Sequence, residues 1–294
     1  MVFERLVILG VGLMGGSLAL AAKKSAAVGT VIGWSRRQST LDAALAANVI
    51  DIAEPDLATA LQSADCVVVA TPTMLAESLM VDVLEQVPAS VVVTDVASVK
   101  GNIASALTAH FDKVPGNAIL GHPIAGSEQS GVGAARDDLY QRHRVILIED
   151  DNTDAKALNG VRELWQAVGA DVFTMTASEH DHVLALTSHL PHLLAYALVA
   201  ELSTDKRSND IFKFAAGGLR DFTRIASSDP RMWREILLAN KDELATAIED
   251  FEQQLALLKT LLDNEDGDAL EMVFEDVKRS RDQFAAELAA RSQS

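Results

Sequence analysis

Residues 6 to 17 read Leu-Val-Ile-Leu-Gly-Val-Gly-Leu-Met-Gly-Gly-Ser, an apolar run that opens onto the pattern G-x-G-x-x-G. A buried strand that ends in this pattern and leads into a helix lets the backbone approach a pyrophosphate, whose charge meets the positive end of the helix. The helix-forming stretch 17–24 follows directly, as the motif requires. We therefore predict a dinucleotide-binding loop; the alternative is a glycine-rich turn used only for packing. The predicted cofactor contacts in this loop are Gly10, Gly12, Leu13, Met14 and Gly15.

The end of the second predicted strand, over 28–34, bears on the choice of cofactor. An NAD enzyme usually places an acidic residue there, on the ribose hydroxyls. This chain has Ser35, Arg36 and Arg37 instead, and a hydroxyl with two guanidinium groups can hold a 2′-phosphate through charge-assisted hydrogen bonds. The sequence thus favours NADP, with NAD as the alternative if the two arginines are ordinary exposed cations.

Composition limits the class of protein. The chain has 294 residues and 49% hydrophobic content, enough for two domains with cores of their own. Its net charge of −17 argues against a nucleic-acid partner. No apolar run approaches the roughly 20 residues of a membrane helix, and the first strand begins almost at residue 1, which leaves no room for a targeting peptide. We expect a cytoplasmic protein without a membrane span.

The two halves of the chain follow different patterns. From 6 to about 149, apolar strand-like runs alternate with helical stretches, which predicts a mostly parallel sheet covered on both faces by helices. Thr71 and Pro72 follow one such strand, at the edge where ligands bind, and are further candidates for cofactor contact. After about residue 174 the apolar residues follow a helical period. The predicted fold is an α/β domain of the Rossmann type over 1–174 and an all-α domain over 175–294, with a homodimer expected.

Polar residues at predicted strand ends are candidates for chemistry. Ser98 follows a strand and either contacts a ligand or caps the next helix. His122 begins a glycine-rich polar loop and can move a proton near neutral pH; its alternative is a structural turn residue. His189 and His192 share a helical face, and without an HExxH pattern or a cysteine cluster we expect contacts to substrate and no metal. Arg224 suits a bidentate carboxylate contact or a helix cap.

Five motifs, in order, resemble the prephenate and arogenate dehydrogenases of tyrosine biosynthesis. They are Gly-Val-Gly-Leu-Met-Gly-Gly-Ser from 10, Asp-Val-Ala-Ser-Val-Lys-Gly from 95, Gly-His-Pro-Ile-Ala-Gly-Ser-Glu from 121, Ser-His-Leu-Pro-His from 188 and Asp-Phe-Thr-Arg-Ile-Ala-Ser-Ser-Asp-Pro-Arg-Met-Trp from 221. The resemblance spans about 6–251. It implies a nucleotide-binding domain joined to a helical domain that dimerises, with the active site in the cleft between them.

The resemblance also implies roles for individual residues. His122 would accept the proton of the ring hydroxyl as hydride leaves for nicotinamide, assisted by Ser98, and Arg224 would hold the ring carboxylate that departs as carbon dioxide. Further substrate contacts implied in this way are His192, His189 and Trp233 at the side-chain end, Ser127 and Glu128 in the loop over the substrate, and Asp221, which would gate the cleft by an ionic contact. Arg220 stands where some members carry lysine, so that contact could differ.

Several alternatives remain open at this point. The family often uses NAD, whereas Ser35, Arg36 and Arg37 favour NADP. The substrate can be prephenate or arogenate, which carries an amino group in place of the side-chain keto oxygen. A β-hydroxyacid dehydrogenase is disfavoured because Lys213 lacks the expected surroundings for a catalytic lysine. A non-catalytic NADP sensor would need no proton acceptor such as His122.

Overall fold

The computed structural model describes residues 1–127 and 129–293. It contains two compact units, one over Met1–Leu244 and a second that begins at Ala245. Glu128 lies outside the described residues. Every candidate site residue in the described part belongs to the first unit.

The first unit is built on parallel strands. Six of them form a parallel sheet in the order β3-β2-β1-β4-β5-β6, and three more form a smaller sheet in the order β7-β8-β9. In the smaller sheet β7 is antiparallel to β8, which is parallel to β9. The strands are β1 (Phe3–Leu9), β2 (Val28–Trp34), β3 (Ile52–Ala53), β4 (Cys66–Val69), β5 (Val92–Asp95), β6 (Ala118–Ile119), β7 (Gly121–Pro123), β8 (Arg144–Ile148) and β9 (Asp171–Met175).

The two sheets meet at Leu120, which separates β6 from β7. Its carbonyl accepts a hydrogen bond from the amide of Ile148 at 2.8 Å. Because β7 continues the direction of β6, the loop after β7 leaves from the same edge of the sheet as the loops after β1, β4 and β5. This continuity brings His122 to the edge at which parallel sheets bind ligands.

Helices alternate with the strands in the first half of the chain, where they pack on the large sheet, and follow one another in the second half. They are α1 (Leu13–Lys24), α2 (Gln38–Ala46), α3 (Leu57–Leu61), α4 (Thr73–Gln86), α5 (Gly101–Phe111), α6 (Ala155–Ala167), α7 (Ala177–Leu184), α8 (Leu190–Thr204), α9 (Ser208–Phe214), α10 (Gly217–Thr223), α11 (Pro230–Ala239), α12 (Lys241–Asp263) and α13 (Gly267–Gln293). Strand β1 shows why the sheet needs cover on both sides: Leu6 and Ile8 pack into one hydrophobic core and Val7 and Leu9 into another.

The predicted fold class is confirmed, with an α/β first half and helices from α7 onward. Strands β3, β7 and β9 were not predicted: β3 has two residues, β7 occupies the start of the stretch that was expected to be a glycine-rich loop, and β9 is a largely exposed edge strand without a continuous apolar run. Helix α11 begins at Pro230, after Asp229, which accepts hydrogen bonds from the amides of Arg231 and Met232. The domain boundary between 174 and 175 stays a prediction.

A π-helical turn over Ala185–His189 joins α7 to α8, so that Ala177–Thr204 is one continuous helical stretch. By length and composition alone this stretch could cross a membrane, with a mean hydropathy of 1.5, so the expectation that no such segment is present is wrong. One such helix is weak evidence for a membrane span, because core helices pass the same test. Leu184, His189 and Ala195 of this stretch are buried within the first unit.

The second unit consists of α13 and the part of α12 from Ala245. Many of its large apolar side chains are exposed, and helices of this kind usually bury such residues against another surface. The exposed residues are Leu255, Leu257, Leu262, Met272, Phe274, Val277, Phe284 and Leu288.

Candidate active site

The glycine loop after β1 has the shape that a pyrophosphate requires. Gly10 has a φ of +101°, and a Cβ atom there would lie 2.6 Å from the carbonyl oxygen of Ala70. A Cβ on Gly15 would lie 2.7 Å from the Ile8 side chain, whereas one on Gly12 would meet no atom of the described residues within 4 Å. Gly10 and Gly15 thus serve close packing, and Gly12 faces open space at the start of α1. These positions fit a dinucleotide on the helix N-terminus.

The other predicted cofactor contacts lie at neighbouring strand ends. Ser35 follows β2, is half-buried, and accepts a hydrogen bond from the amide of Arg37 at 3.2 Å. Arg36 and Arg37 are exposed. Thr71 follows β4, and its hydroxyl is buried without a hydrogen-bond partner among the described residues. An orphaned hydroxyl at this edge is consistent with a ligand group that completes its hydrogen bonding.

A buried ion pair holds the β5–α5 connection to the start of β7. Lys100 and Asp95 are fully buried, and the ammonium group of Lys100 donates to the Asp95 carboxylate and to the Gly121 carbonyl oxygen, the latter at 2.7 Å. Asp95 also accepts a hydrogen bond from the amide of Gly121 at 3.1 Å. Burial lowers the pKa of Lys100, while the Asp95 charge opposes that effect. Both partners bond to Gly121, which fixes the residue that precedes His122.

The N-terminus of α5 is capped from another helix. Asp181 in α7 accepts hydrogen bonds from the amides of Lys100 and Gly101, at 2.9 and 2.7 Å. Ser98, which was a candidate for this cap, makes no cap hydrogen bond and is half-buried at the sheet edge. The cap alternative is therefore wrong, because a carboxylate that is distant in sequence takes the amides. Ligand contact is the interpretation that remains for Ser98.

His122 belongs to a chain of three buried side chains. Its Nδ1 lies 2.8 Å from Nε2 of His180, and Nδ1 of His180 lies 2.7 Å from the Asp181 carboxylate. His122 is only 8% exposed. Burial, followed by the charges of His180 and Lys100, holds the pKa of His122 well below its usual value. The ring is therefore neutral at physiological pH and able to accept a proton.

A second group of aromatic side chains surrounds Trp233. The ring of His192 stacks on Trp233 at a centroid distance of 3.6 Å, and His192 Nδ1 lies 2.8 Å from the Ser188 carbonyl oxygen. His189 is buried, with Nδ1 3.0 Å from the Asn240 amide nitrogen. Burial lowers the pKa of His189 to about 4. The three rings therefore form one packed aromatic group whose ring nitrogens bond to Ser188 and Asn240.

The remaining predicted substrate contacts are on the surface of the first unit. Arg224 is exposed, and its charge contributes to the lowered pKa of His192, after the larger effect of burial. Asp221 pairs with its neighbour Arg220 at 3.1 Å, and both are exposed. Ser127 is exposed and accepts a hydrogen bond from the amide of Gln129 at 3.1 Å. The contact predicted for Glu128 falls outside the described residues.

Sequence reasoning missed four buried polar residues of this site, namely His180, Asp181, Lys100 and Asn240. Asn240 donates to the Asp181 carbonyl oxygen at 2.8 Å and thereby links α11 to α7. One local signal was available: Thr176 and Glu179 form a capping box that starts α7, which places the next two residues, His180 and Asp181, in its first turns. No local sequence pattern predicts that they contact His122.

Comparison with known proteins identifies a family. The family model for the nucleotide-binding domain of prephenate dehydrogenase matches residues 18–174, and the model for the prephenate dehydrogenase dimerization domain matches residues 176–276. The chain is 35% identical to the cyclohexadienyl dehydrogenase of Zymomonas mobilis, over 95% of this chain and 96% of the relative.

Two solved structures resemble the whole chain. A prephenate dehydrogenase from A. aeolicus, in complex with hydroxyphenyl propionate and NAD+, is 36% identical, with a TM-score of 0.88 over 96% of this chain and 98% of the other. The Synechocystis arogenate dehydrogenase is 28% identical, with a TM-score of 0.84 over 96% of this chain and 100% of the other.

Proposed function

The chain belongs to the prephenate dehydrogenase family and is an NAD(P)-dependent dehydrogenase that performs an oxidative decarboxylation in tyrosine biosynthesis, and we propose that His122 is its proton acceptor. The observation that carries this proposal is the buried His122 ring in β7, with Nδ1 2.8 Å from Nε2 of His180; burial also holds the pKa of His122 well below its usual value. A general base must be unprotonated at the working pH and lie within reach of the reacting hydroxyl. Strand β7 places His122 at the same sheet edge as the glycine loop.

The reaction requires His122 to accept a proton from the substrate and later to return it. The substrate ring loses a hydride from the carbon that bears the hydroxyl, for which the bound nicotinamide supplies the acceptor. The opposite ring carbon loses its carboxylate as carbon dioxide, and the electron pair of that bond completes the aromatic ring. The product is a phenol that keeps a hydroxyl hydrogen, so the reaction releases no net proton. His122 therefore takes the hydroxyl proton and gives it back to the phenolate oxygen.

We assign the remaining side chains to orientation and charge. Ser98, in the β5–α5 connection, would bond the reacting hydroxyl. Arg224 would hold the ring carboxylate, because a guanidinium group matches a carboxylate in two parallel hydrogen bonds. His192 and Trp233, which stack on each other, and His189 would line the side-chain end of the substrate.

The preferred cofactor in this proposal is NADP. Ser35, Arg36 and Arg37 follow β2, where an NAD-specific site usually has an acidic residue. The A. aeolicus relative was solved with NAD+, so NAD is the alternative. Arg36→Asp should weaken NADP binding far more than NAD binding in a fluorescence titration, and equal weakening of both would contradict the assignment.

We further propose a cytoplasmic homodimer that forms through the helical half, with a nucleotide-binding domain over 1–174 and a substrate and dimerisation domain over 175–294. The match of 176–276 to a dimerization domain supports this assembly. The exposed apolar residues of α12 and α13 supply a surface for it. Sedimentation of the purified protein should give twice the monomer mass.

The first experiment measures formation of the reduced cofactor with prephenate or arogenate and with NADP or NAD, in all four pairings. Turnover in one pairing or more identifies the substrate, which is prephenate, arogenate or both. His122→Asn should abolish turnover while cofactor binding survives. Normal turnover in that variant contradicts the role of His122. Intact cofactor binding without turnover in any pairing would instead favour the non-catalytic sensor.

A further inference from the structure

The side chains behind His122 determine which of its ring nitrogens carries the proton. Asp181 is surrounded by hydrogen-bond donors: His180 Nδ1 at 2.7 Å and the amides of Lys100 and Gly101 at 2.9 and 2.7 Å. Burial raises the pKa of Asp181, but the hydrogen bonds from these three groups outweigh it and hold the pKa below its usual range. Asp181 is therefore an ionised carboxylate that can only accept hydrogen bonds.

The carboxylate determines the tautomer of His180. Burial lowers the pKa of His180 and outweighs the opposing effect of Asp181, so His180 is neutral and carries a single ring proton. That proton must lie on Nδ1, because Nδ1 faces a carboxylate that has no proton to donate. Nε2 of His180 is then an acceptor, 2.8 Å from Nδ1 of His122.

The proton position of His122 follows from its contact with His180. Its Nδ1 faces an acceptor, so Nδ1 carries the proton of the neutral ring, and Nε2 is left with a free lone pair. We infer that His180 and Asp181 are positioning residues that hold His122 in the tautomer whose Nε2 accepts the substrate proton. The inference rests on the proposed function of His122 as the base. In serine proteases, an asparagine in place of the orienting aspartate allows the wrong tautomer and lowers kcat by about 10⁴-fold.

The substitution Asp181→Asn changes the tautomers of His180 and His122 most directly. The two Asp181 oxygens accept backbone amides from Lys100 and Gly101. Oδ1 also faces His180 Nδ1, so an asparagine whose oxygen stays on the Gly101 amide presents its NH₂ group to His180 Nδ1, to which it donates, and leaves the Lys100 amide without its acceptor. His180 would then carry its proton on Nε2 and donate to His122, which would carry its own proton on Nε2. The base would become a donor, and kcat should fall by about 100-fold or more.

A pair of variants at His180 separates tautomer control from packing. His180→Gln keeps a carbonyl oxygen that can accept from His122 Nδ1, whereas His180→Leu removes the acceptor. We expect kcat to fall by about 100-fold or more in the leucine variant and by about 10-fold or less in the glutamine variant. The KM for substrate and the Kd for the cofactor should change little in both. The matched control is His182→Asn, on the exposed side of the same helix, which should leave kcat unchanged.

The tautomer is measured directly by the ring ¹⁵N chemical shifts of the ligand-free, ¹⁵N-labelled protein, with His122→Asn used to assign the His122 signals. A proton on Nδ1 and a bare Nε2 support the inference; a proton on Nε2 overturns it. Equal loss of kcat in the two His180 variants also overturns it, because a purely structural role does not distinguish them. The spectrum reports the tautomer of His122 even if the wild type shows no turnover. An absence of turnover would overturn only the proposed function.

Discussion

Acid should destabilise the fold through His189, which is buried and has a pKa of about 4. The main cause is burial; the Asp181 charge opposes it, and the nearby His180 and His192 rings add to it. His189 Nδ1 lies 3.0 Å from the Asn240 amide nitrogen, whose protons also face the Asp181 carbonyl oxygen, so the ring is held neutral with Nδ1 as acceptor. A proton added to His189 Nδ1 would face the NH₂ group of Asn240, which is itself a donor.

The sign of the pH dependence follows from the two pKa values. In the unfolded chain the pKa of histidine is about 6.5, so below that pH the unfolded state binds a proton that the folded state excludes. The contribution of His189 is fully present above pH 6.5 and is lost as the pH falls toward 4. A difference of one pH unit corresponds to about 1.4 kcal/mol, so the loss reaches about 2 kcal/mol at pH 5.

The assay is urea unfolding, followed by circular dichroism between pH 7.5 and 5 at one protein concentration, for the wild type and for His189→Gln. Other titrating groups, including His122, are shared by the two proteins and cancel in the difference. The free energy of unfolding of the wild type, relative to that of the variant, should decrease by about 2 kcal/mol between these two pH values. A difference that stays constant across the range would refute the assignment of His189 as a buried neutral ring.

Three further predictions concern the ion pair, the glycine loop and the base. Lys100→Met leaves Asp95 as a buried, unpaired charge, and urea unfolding should show a loss of about 3–5 kcal/mol; a loss below about 1 kcal/mol contradicts a buried ionised pair. Gly12→Ala should fold normally but bind the dinucleotide weakly, whereas Gly15→Ala should also lower the melting temperature, since its Cβ would clash with the Ile8 side chain. The acid limb of the kcat/KM profile, which reports the free enzyme, should lie below pH 6.5, because burial lowers the pKa of His122; a kcat/KM already lost at pH 6.5 would be inconsistent with this.

Local patterns predicted the elements whose environment is regular along the chain. Strand β1 and the glycine loop were predictable because a buried parallel strand is apolar at every position and because Gly10 and Gly15 leave no space for a Cβ atom. Strand β9 was not predictable, since an edge strand with Asp171 and Thr174 among its residues lacks that signal. The two-residue strand β3 is too short to produce a pattern.

The candidate site also contains features that the sequence predicted and contacts that it did not. The motifs around Ser98 and His122 predicted a candidate base and a residue to assist it, and the strand before each motif predicted the sheet edge to which both belong. It did not determine that Asp181 caps α5, that Lys100 pairs with Asp95 in the interior, or that His180 faces His122 from 58 positions away. Those contacts exist only where α7 packs against α5 and β7. The protonation state of His122 depends on them, because desolvation and the direction of hydrogen bonds are properties of the assembled interior.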